Sequence, residues 1–283
     1  MPWWQKMRKA FTLLELVVAI ALLAIVFLFA GTIFKVSINA YRVAVANVEI
    51  MQKLRAITDQ LNRDFEGLQK DGYLILHFEQ LNRQEFDNSD KDNFRADRIY
   101  YFSTGDFQSW FDPDIRSNIA RVYFGHDHTS LANSGELVCE WKLARYIVLL
   151  TPDISNPPDD CCDVSFAECK IDLSALEDPN NVLINNVVEI DIEDVNDVRH
   201  LMCQNAGQMQ IEWTDGTITN SELQWNGNPG PTKPTERWGP DNPDNWPKAI
   251  KFTFRLYDSK GIINEDGRVG RLFTHIVYLD SSD

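Results

Sequence analysis

A long apolar run from Phe11 to Phe34, interrupted by one carboxylate at Glu15, constrains this chain more than any other feature. A helix needs about 20 apolar residues to cross a bilayer, so the run is long enough to span one. Lys6, Arg8 and Lys9 precede it. Basic residues on that side keep the N-terminus cytoplasmic and send the remainder outward. A secretory signal peptide is one reading, but its apolar region is about 7–15 residues long. A plain signal anchor is another, and it leaves Glu15 unexplained. A charge at the centre of a membrane helix costs roughly 2.5–3.5 kcal/mol on insertion scales and is kept for a function or a partner.

The helical pattern continues past Phe34 through Val36, Ile38, Tyr41, Val43, Val48, Leu54, Ile57, Leu61, Phe65 and Leu68. From Leu54 the apolar spacing is that of an amphipathic helix. Lys53, Arg55, Asp59, Gln60, Asn62, Arg63 and Asp64 are expected on its other faces. No Pro interrupts it, Gly67 weakens its end, and Lys70-Asp71-Gly72 reads as a stop. The expected rod is roughly 85–90 Å long at 1.5 Å per residue. Residues 11–34 form its membrane or filament-core half, and residues 35–70 the half that lies against a globular domain.

Residues 71–283 make up that domain. Strands are expected at Tyr73–Gln80, Arg98–Ser103, Ala120–Phe124, Leu143–Leu150, Val187–Val195, Met209–Trp213, Ile250–Tyr257 and Leu272–Leu279, where β-branched and aromatic residues alternate with polar ones. Gln84–Asp97, Thr151–Pro179 and Thr214–Pro247 read as polar loops; connections this long are usually binding loops or disorder. No internal repeat is visible. The expected fold class is α+β: one long N-terminal helix packed on a β-rich domain of antiparallel sheet with long loops.

The stretch Lys9-Ala10-Phe11-Thr12-Leu13-Leu14-Glu15-Leu16 resembles the class III signal of the type IV pilin superfamily. The resemblance implies a pilin-like lollipop fold. It also implies that a prepilin peptidase cuts between Ala10 and Phe11 and methylates the new Phe11 amino group, leaving residues 1–10 as leader. Glu15 is then the fifth mature residue, and its carboxylate pairs with the N-terminus of a neighbouring filament subunit. Two buried charges that meet cost much less than either alone. Two departures stand out: Ala10 occupies a position that is usually Gly, and Gly31-Thr32 replaces a helix-bending Pro.

Later segments are similar to minor pseudopilin J of type II secretion and to related large minor pilins. Arg121-Val122-Tyr123-Phe124 and Leu143-Ala144-Arg145-Tyr146 resemble paired strands of that family, with an acidic insertion between. Leu183–Ile190 resembles the next strand entry, and Trp246-Pro247-Lys248-Ala249-Ile250-Lys251-Phe252 a late turn into a strand. The implied function is a minor pseudopilin at or near the tip of a secretion pseudopilus, which starts assembly and aids protein export. The implied partners are sibling minor pseudopilins, the major pseudopilin, the prepilin peptidase and the inner-membrane assembly platform. The implied location is the inner membrane, single-pass with a periplasmic C-terminal domain, and then the pseudopilus. The alternative is a minor pilin or adhesin-like subunit of a type IV pilus or competence system.

Charge agrees with a role away from nucleic acid. Removing the three basic leader residues takes the side-chain charge from −15 to −18. Such a surface repels phosphate backbones. Pseudopilins that use calcium make Asp258, Glu265 and Asp266 the places to look for a cation, although the spacing is not that of an EF-hand; a solvated hairpin connection is the competing reading. No other cofactor is expected. In an oxidising periplasm, Cys139, Cys161, Cys162, Cys169 and Cys203 offer two disulfides and one residual thiol, with connectivity open. Adjacent Cys161 and Cys162 are poorly placed to bond each other. A metal site joining these cysteines to His126-Asp127-His128 is the rival, without a characteristic spacing. No GxSxG, P-loop, GxGxxG or HExxH motif is present, and no catalytic residue is expected.

Overall fold

The computed structural model describes residues 13–86, 91–108, 116–127, 135–149, 197–227, 235–240, 245–265 and 267–279. A single helix, α1 (Leu13–Glu66, 54 residues), runs for about 80 Å. It ends before the expected Lys70 stop, because the chain turns into the sheet at Gly67. The Leu68 amide donates back to the Phe65 carbonyl at 3.2 Å, and the Gly67 carbonyl accepts the Thr104 amide at 2.7 Å. A Cβ on Gly67 would overlap the Thr104 carbonyl oxygen. Only glycine lets the backbone approach this closely.

The strands are β1 (Leu74–His77), β2 (Gln80–Gln84), β3 (Lys91–Arg95), β4 (Arg98–Gln108), β5 (Arg116–His126), β6 (Lys142–Leu149), β7 (Asp197–Gln204) and β8 (Ala206–Thr214). There follow β9 (Ile218–Thr219), β10 (Glu222–Leu223), β11 (Thr235–Trp238), β12 (Ala249–Leu256), β13 (Asn264–Glu265), β14 (Arg268–Val269) and β15 (Arg271–Tyr278). A short 3-10 turn at Val138–Glu140 precedes β6. Among the described residues a six-stranded sheet has the order β11-β1-β4-β5-β6-β7, and a three-stranded sheet the order β15-β12-β8. Every pairing within these two sheets is antiparallel. The fold is therefore the α+β lollipop: a long N-terminal helix followed by an antiparallel β-rich domain.

The inner face of the six-stranded sheet carries Leu74, Leu76, Ile99, Tyr101, Val122, Phe124 and Leu143, all buried. The three-stranded sheet contributes Met209, Ile211, Ile250, Phe252 and Phe254. Into this layer α1 inserts Ala46, Ile50, Ile57, Leu61 and Phe65, the i, i+4, i+7 stripe of an amphipathic helix. Phe65 stacks on Tyr101 at 4.6 Å and meets Phe252 edge-on at 5.8 Å, tying the helix end to both sheets.

Seven of the expected strands are present, most of them longer at one or both ends; Val187–Val195 lies outside the described residues. Gln84–Asp97 is not a plain loop. It holds most of the β2–β3 hairpin, whose Phe94 is fully buried beside Ala96, Val138 and Trp141. Its polar residues mask the strand pattern, because one hairpin face meets water. The long 214–247 connection likewise contains β9, β10 and β11, and β11 completes the large sheet against β1. Strand β7 has no clean alternation in Asp197-Val198-Arg199-His200 and was not expected; it forms because β6 presents a free edge.

Candidate assembly site

The segment expected to carry assembly is the first half of α1. From Leu13 to Val45 the helix buries no residue against the domain, and large apolar side chains such as Leu13, Phe27, Leu28 and Phe34 stand open. This stretch is long and apolar enough to cross a membrane. Thr32 does not break it, since its hydroxyl donates to the Leu28 carbonyl at 3.0 Å, one turn back. Glu15 lies in the first turn of α1. There a carboxylate faces the positive end of the helix dipole, so the helix itself favours an anion at that position. Ala10 and Phe11 lie outside the described residues.

The helix enters the domain through a polar clamp. Lys53 Nζ donates to Glu49 Oε1 at 2.8 Å and to the Tyr257 carbonyl at 2.8 Å. Glu49 also accepts the Ser259 amide at 3.0 Å and the Ser259 hydroxyl at 3.1 Å. The Tyr257 hydroxyl donates to Glu85 at 3.0 Å, which brings in the segment after β2. These bonds surround the first buried turn, Ala46 to Ile50, and fix where the projecting half begins.

Three turns on, Asp64, expected off the apolar stripe with the other polar residues of α1, is drawn into the interior. It is 4% exposed and makes a two-pronged ion pair with Arg145 of β6, both contacts at 2.5 Å. Gln60 donates to the same carboxylate at 2.7 Å. The Ser103 hydroxyl donates to the Asp64 carbonyl at 3.0 Å. Tyr101 is buried against the pair, and burial, with the Asp64 charge second, raises its hydroxyl pKa well above the ordinary value. A planar guanidinium matched to a carboxylate fixes direction as well as distance. The pair thus sets the angle at which α1 leaves the domain. Sequence reasoning missed it, although Arg145 lies inside one of the stretches that carried the family resemblance. An acid on the flank of an apolar helical stripe is the available signal.

The other expected site residues do different work. Asp258 is 2% exposed, and its carboxylate accepts the amides of Lys260, Ile262 and Ile263 at 3.2, 2.9 and 2.9 Å. Glu265 accepts the Leu272 amide at 3.1 Å. These bonds tie the two carboxylates to the turns before β13 and β15; Asp266 lies outside the described residues. Among the described residues no group of three or more His, Cys, Asp or Glu is placed to hold a metal ion. Cys139 and Cys203 are buried free thiols whose pKa burial pushes up to about 12. Cys161, Cys162 and Cys169 lie outside the described residues, as does His128. His126 is fully buried, and its Nε2–H donates to the Ala206 and Gly207 carbonyls at 3.1 and 2.6 Å.

Residues 5–31 match the family model of the prokaryotic N-terminal methylation motif. No curated protein matches the chain, and no solved structure does. The matched span contains Lys6, Arg8, Lys9, Glu15 and most of the exposed apolar helix. Together with the long helix, the motif indicates a type IV pilin-like N-terminus. The motif implies processing by a prepilin peptidase and assembly into pilus-like filaments, and the family it marks is structural. The apolar helix fits the single-pass membrane anchor of such proteins.

Proposed function

We propose that the chain is a minor pseudopilin of type II secretion, incorporated at or near the tip of the pseudopilus, where it helps to start assembly and aids export. The observation that carries this reading is the half-helix from Leu13 to Val45 that buries no residue against the domain, with Glu15 in its first turn and a large domain clamped to its far half. Such a helix is complete only among neighbouring helices. The J-type likeness supports the secretion assignment: Tyr123 and Phe124 of one resembling stretch pair with Tyr146 and Arg145 of the other. In this reading the peptidase cuts between Ala10 and Phe11, residues 11–34 hold the membrane or filament core, and the domain from residue 71 onward is periplasmic. The cut creates an α-amino cation close to the Glu15 carboxylate of a neighbour, and that pairing draws the subunit from the bilayer into the filament.

Two experiments test it. Glu15→Val is expected to leave membrane insertion and cleavage intact and to reduce incorporation into filaments at least tenfold, read by immunoblotting sheared filaments. Wild-type incorporation of the variant sinks the role given to Glu15. The 40–283 fragment, mixed with sibling minor pseudopilins, is expected to form a stable complex by size exclusion. A monomer that ignores them and binds a surface or glycan supports the minor pilin or adhesin instead.

A further inference from the structure

Helix α1 and the three-stranded sheet cover one face of the six-stranded sheet, and the opposite face is buried as well. Its central row runs in register through Ile75, Tyr100, Tyr123 and Tyr146 of β1, β4, β5 and β6. The rings of Tyr100 and Tyr123 lie 4.9 Å apart, and those of Tyr123 and Tyr146 5.2 Å apart. None of the four residues is more than 8% exposed. Among the described residues, the apolar cluster on this face adds only Ala144 of β6 and Tyr73, the residue before β1. All of these belong to the sheet layer itself. An antiparallel sheet covered on one face commonly leaves the other to water. These tyrosines are dry, so a second layer lies over them.

Two polar atoms on this face are buried without a partner among the described residues, the Tyr100 hydroxyl and Nε of Arg98. Their neighbours are satisfied. Tyr123 donates to the His126 carbonyl at 2.9 Å, Tyr146 donates to Asp127 Oδ1 at 3.3 Å, and Nη2 of Arg98 donates to Glu79. Buried polar groups are rarely left unpaired, and a carboxylate accepts from a guanidinium and a hydroxyl together. Arg121, opposite Phe102 and one row from the tyrosines, is only partly buried.

We propose that residues 150–196, the connection between β6 and β7, dock on this face, with apolar side chains over the tyrosine row and acidic ones at Arg98, Tyr100 and Arg121. The connection lies outside the described residues, but its ends do not. Strands β6 and β7 are antiparallel neighbours, and Val148 lies opposite Asp197. Both ends therefore sit two residues, about 7 Å, from the tyrosine row. A hairpin closes with 2–5 residues, whereas 47 are present here. They include fifteen Leu, Ile, Val or Phe, and twelve acidic residues against one basic. The face is dry in a single copy, so no second subunit is needed to cover it. Other internal stretches outside the described residues are seven residues long or shorter. Crossing from β1 to β6 and back takes about 29 Å at 4.8 Å per strand, and seven extended residues reach about 23 Å. Residues 1–12 join the projecting end of α1, and only four residues follow Leu279. A segment held on this face is a second layer of the domain rather than a free binding loop.

The full-length chain in detergent micelles tests the placement. With photoreactive p-benzoylphenylalanine at position 121, irradiation of the monomer is expected to give cross-links mainly to peptides from residues 150–196 of the same chain. Cross-links mainly to other segments, or only to a second copy, overturn the proposal. Replacing residues 152–194 with a five-residue Gly/Ser turn is expected to keep the strand signal in far-ultraviolet circular dichroism. It is expected to raise the tetranitromethane nitration rates of Tyr100 and Tyr146, read site by site by mass spectrometry, at least tenfold. Unchanged rates in the folded, shortened chain overturn the proposal. Should that chain misfold, cross-linking decides together with Arg121→Glu, which is expected to raise Tyr100 nitration at least threefold while Arg121→Lys does not. Equal rates in both variants and wild type overturn the charged part of the contact. These measurements use one subunit by itself, so their failure leaves the filament reading untouched.

Discussion

Asp64 and Arg145 show how much one residue pair decides here. Both are nearly removed from water, at 4% and 7% side-chain exposure. Breaking a buried pair from one side strands a charge and costs about 3–5 kcal/mol. Asp64→Ala is expected to lower the unfolding free energy by about that amount in urea titrations. Replacing both partners, as Asp64→Leu with Arg145→Met, is expected to recover most of it. A single variant as stable as wild type would show the pair to be ornamental. His126 gives a second residue-scale test. Burial holds its pKa down at about 4, and burial with Arg98 does the same for His77. Both return to about 6.5 on unfolding. A lowered pKa contributes stability that is complete above pH 6.5 and lost as pH falls towards 4. Asp97 runs the other way: burial raises it to about 6 against the pull of Arg95. Its contribution is complete below about 3.8 and lost as pH rises through 6. The stability gap between wild type and His126→Gln is therefore expected to be constant above pH 7 and to close between pH 6.5 and 4. A gap independent of pH contradicts a neutral buried His126.

At the scale of elements, the joint between α1 and the sheet leaves no room for a side chain at position 67. Gly67 puts its carbonyl on the Thr104 amide at 2.7 Å, while the Gln69 amide reaches the Phe102 carbonyl at 3.1 Å. A methyl at position 67 must push the helix end and β4 apart. Gly67→Ala is expected to destabilise by about 1–3 kcal/mol, the usual range for overpacking, and to weaken the Phe65–Tyr101 stacking, read by near-ultraviolet circular dichroism. A variant with wild-type stability and spectrum means the strand gives way freely. The same joint explains why the helix end was read a few residues late. Leu68 fits the apolar spacing, but it makes an isolated bridge to Ser103 instead of a further helical turn. Local periodicity extends a helix until a tertiary contact takes over the backbone.

For the whole molecule, the division of α1 at Val45 predicts how the chain tolerates truncation. Residues 13–45 bury nothing against the domain. A fragment starting at Ala40 is expected to unfold in one cooperative step. A fragment starting at Thr58 loses Ala46, Ile50, Ile57 and the Glu49–Lys53 clamp. Two isoleucines alone contribute roughly 3–6 kcal/mol of burial, so the shorter fragment is expected to be at least about 3 kcal/mol less stable, or unfolded. Equal denaturation midpoints for the two would mean that the docked half contributes no stability.

The membrane-length run, its basic leader, Glu15 and the amphipathic stripe beyond were legible from residue order, because helical and bilayer periodicities act over neighbours in sequence. Seven strands were legible for the same reason, through their β-branched and aromatic content. The β2–β3 hairpin, β7 and β11 were not, since a polar or short strand is stabilised by the edge it joins rather than by its own pattern. Nor was the partnership of Asp64 with Arg145, which lie 81 positions apart. Sequence alone determined that this chain carries a pilin-type N-terminus on a long helix. Only the tertiary structure decided where that helix leaves the domain and which acid is buried to hold it, because those depend on contacts between residues far apart in the chain.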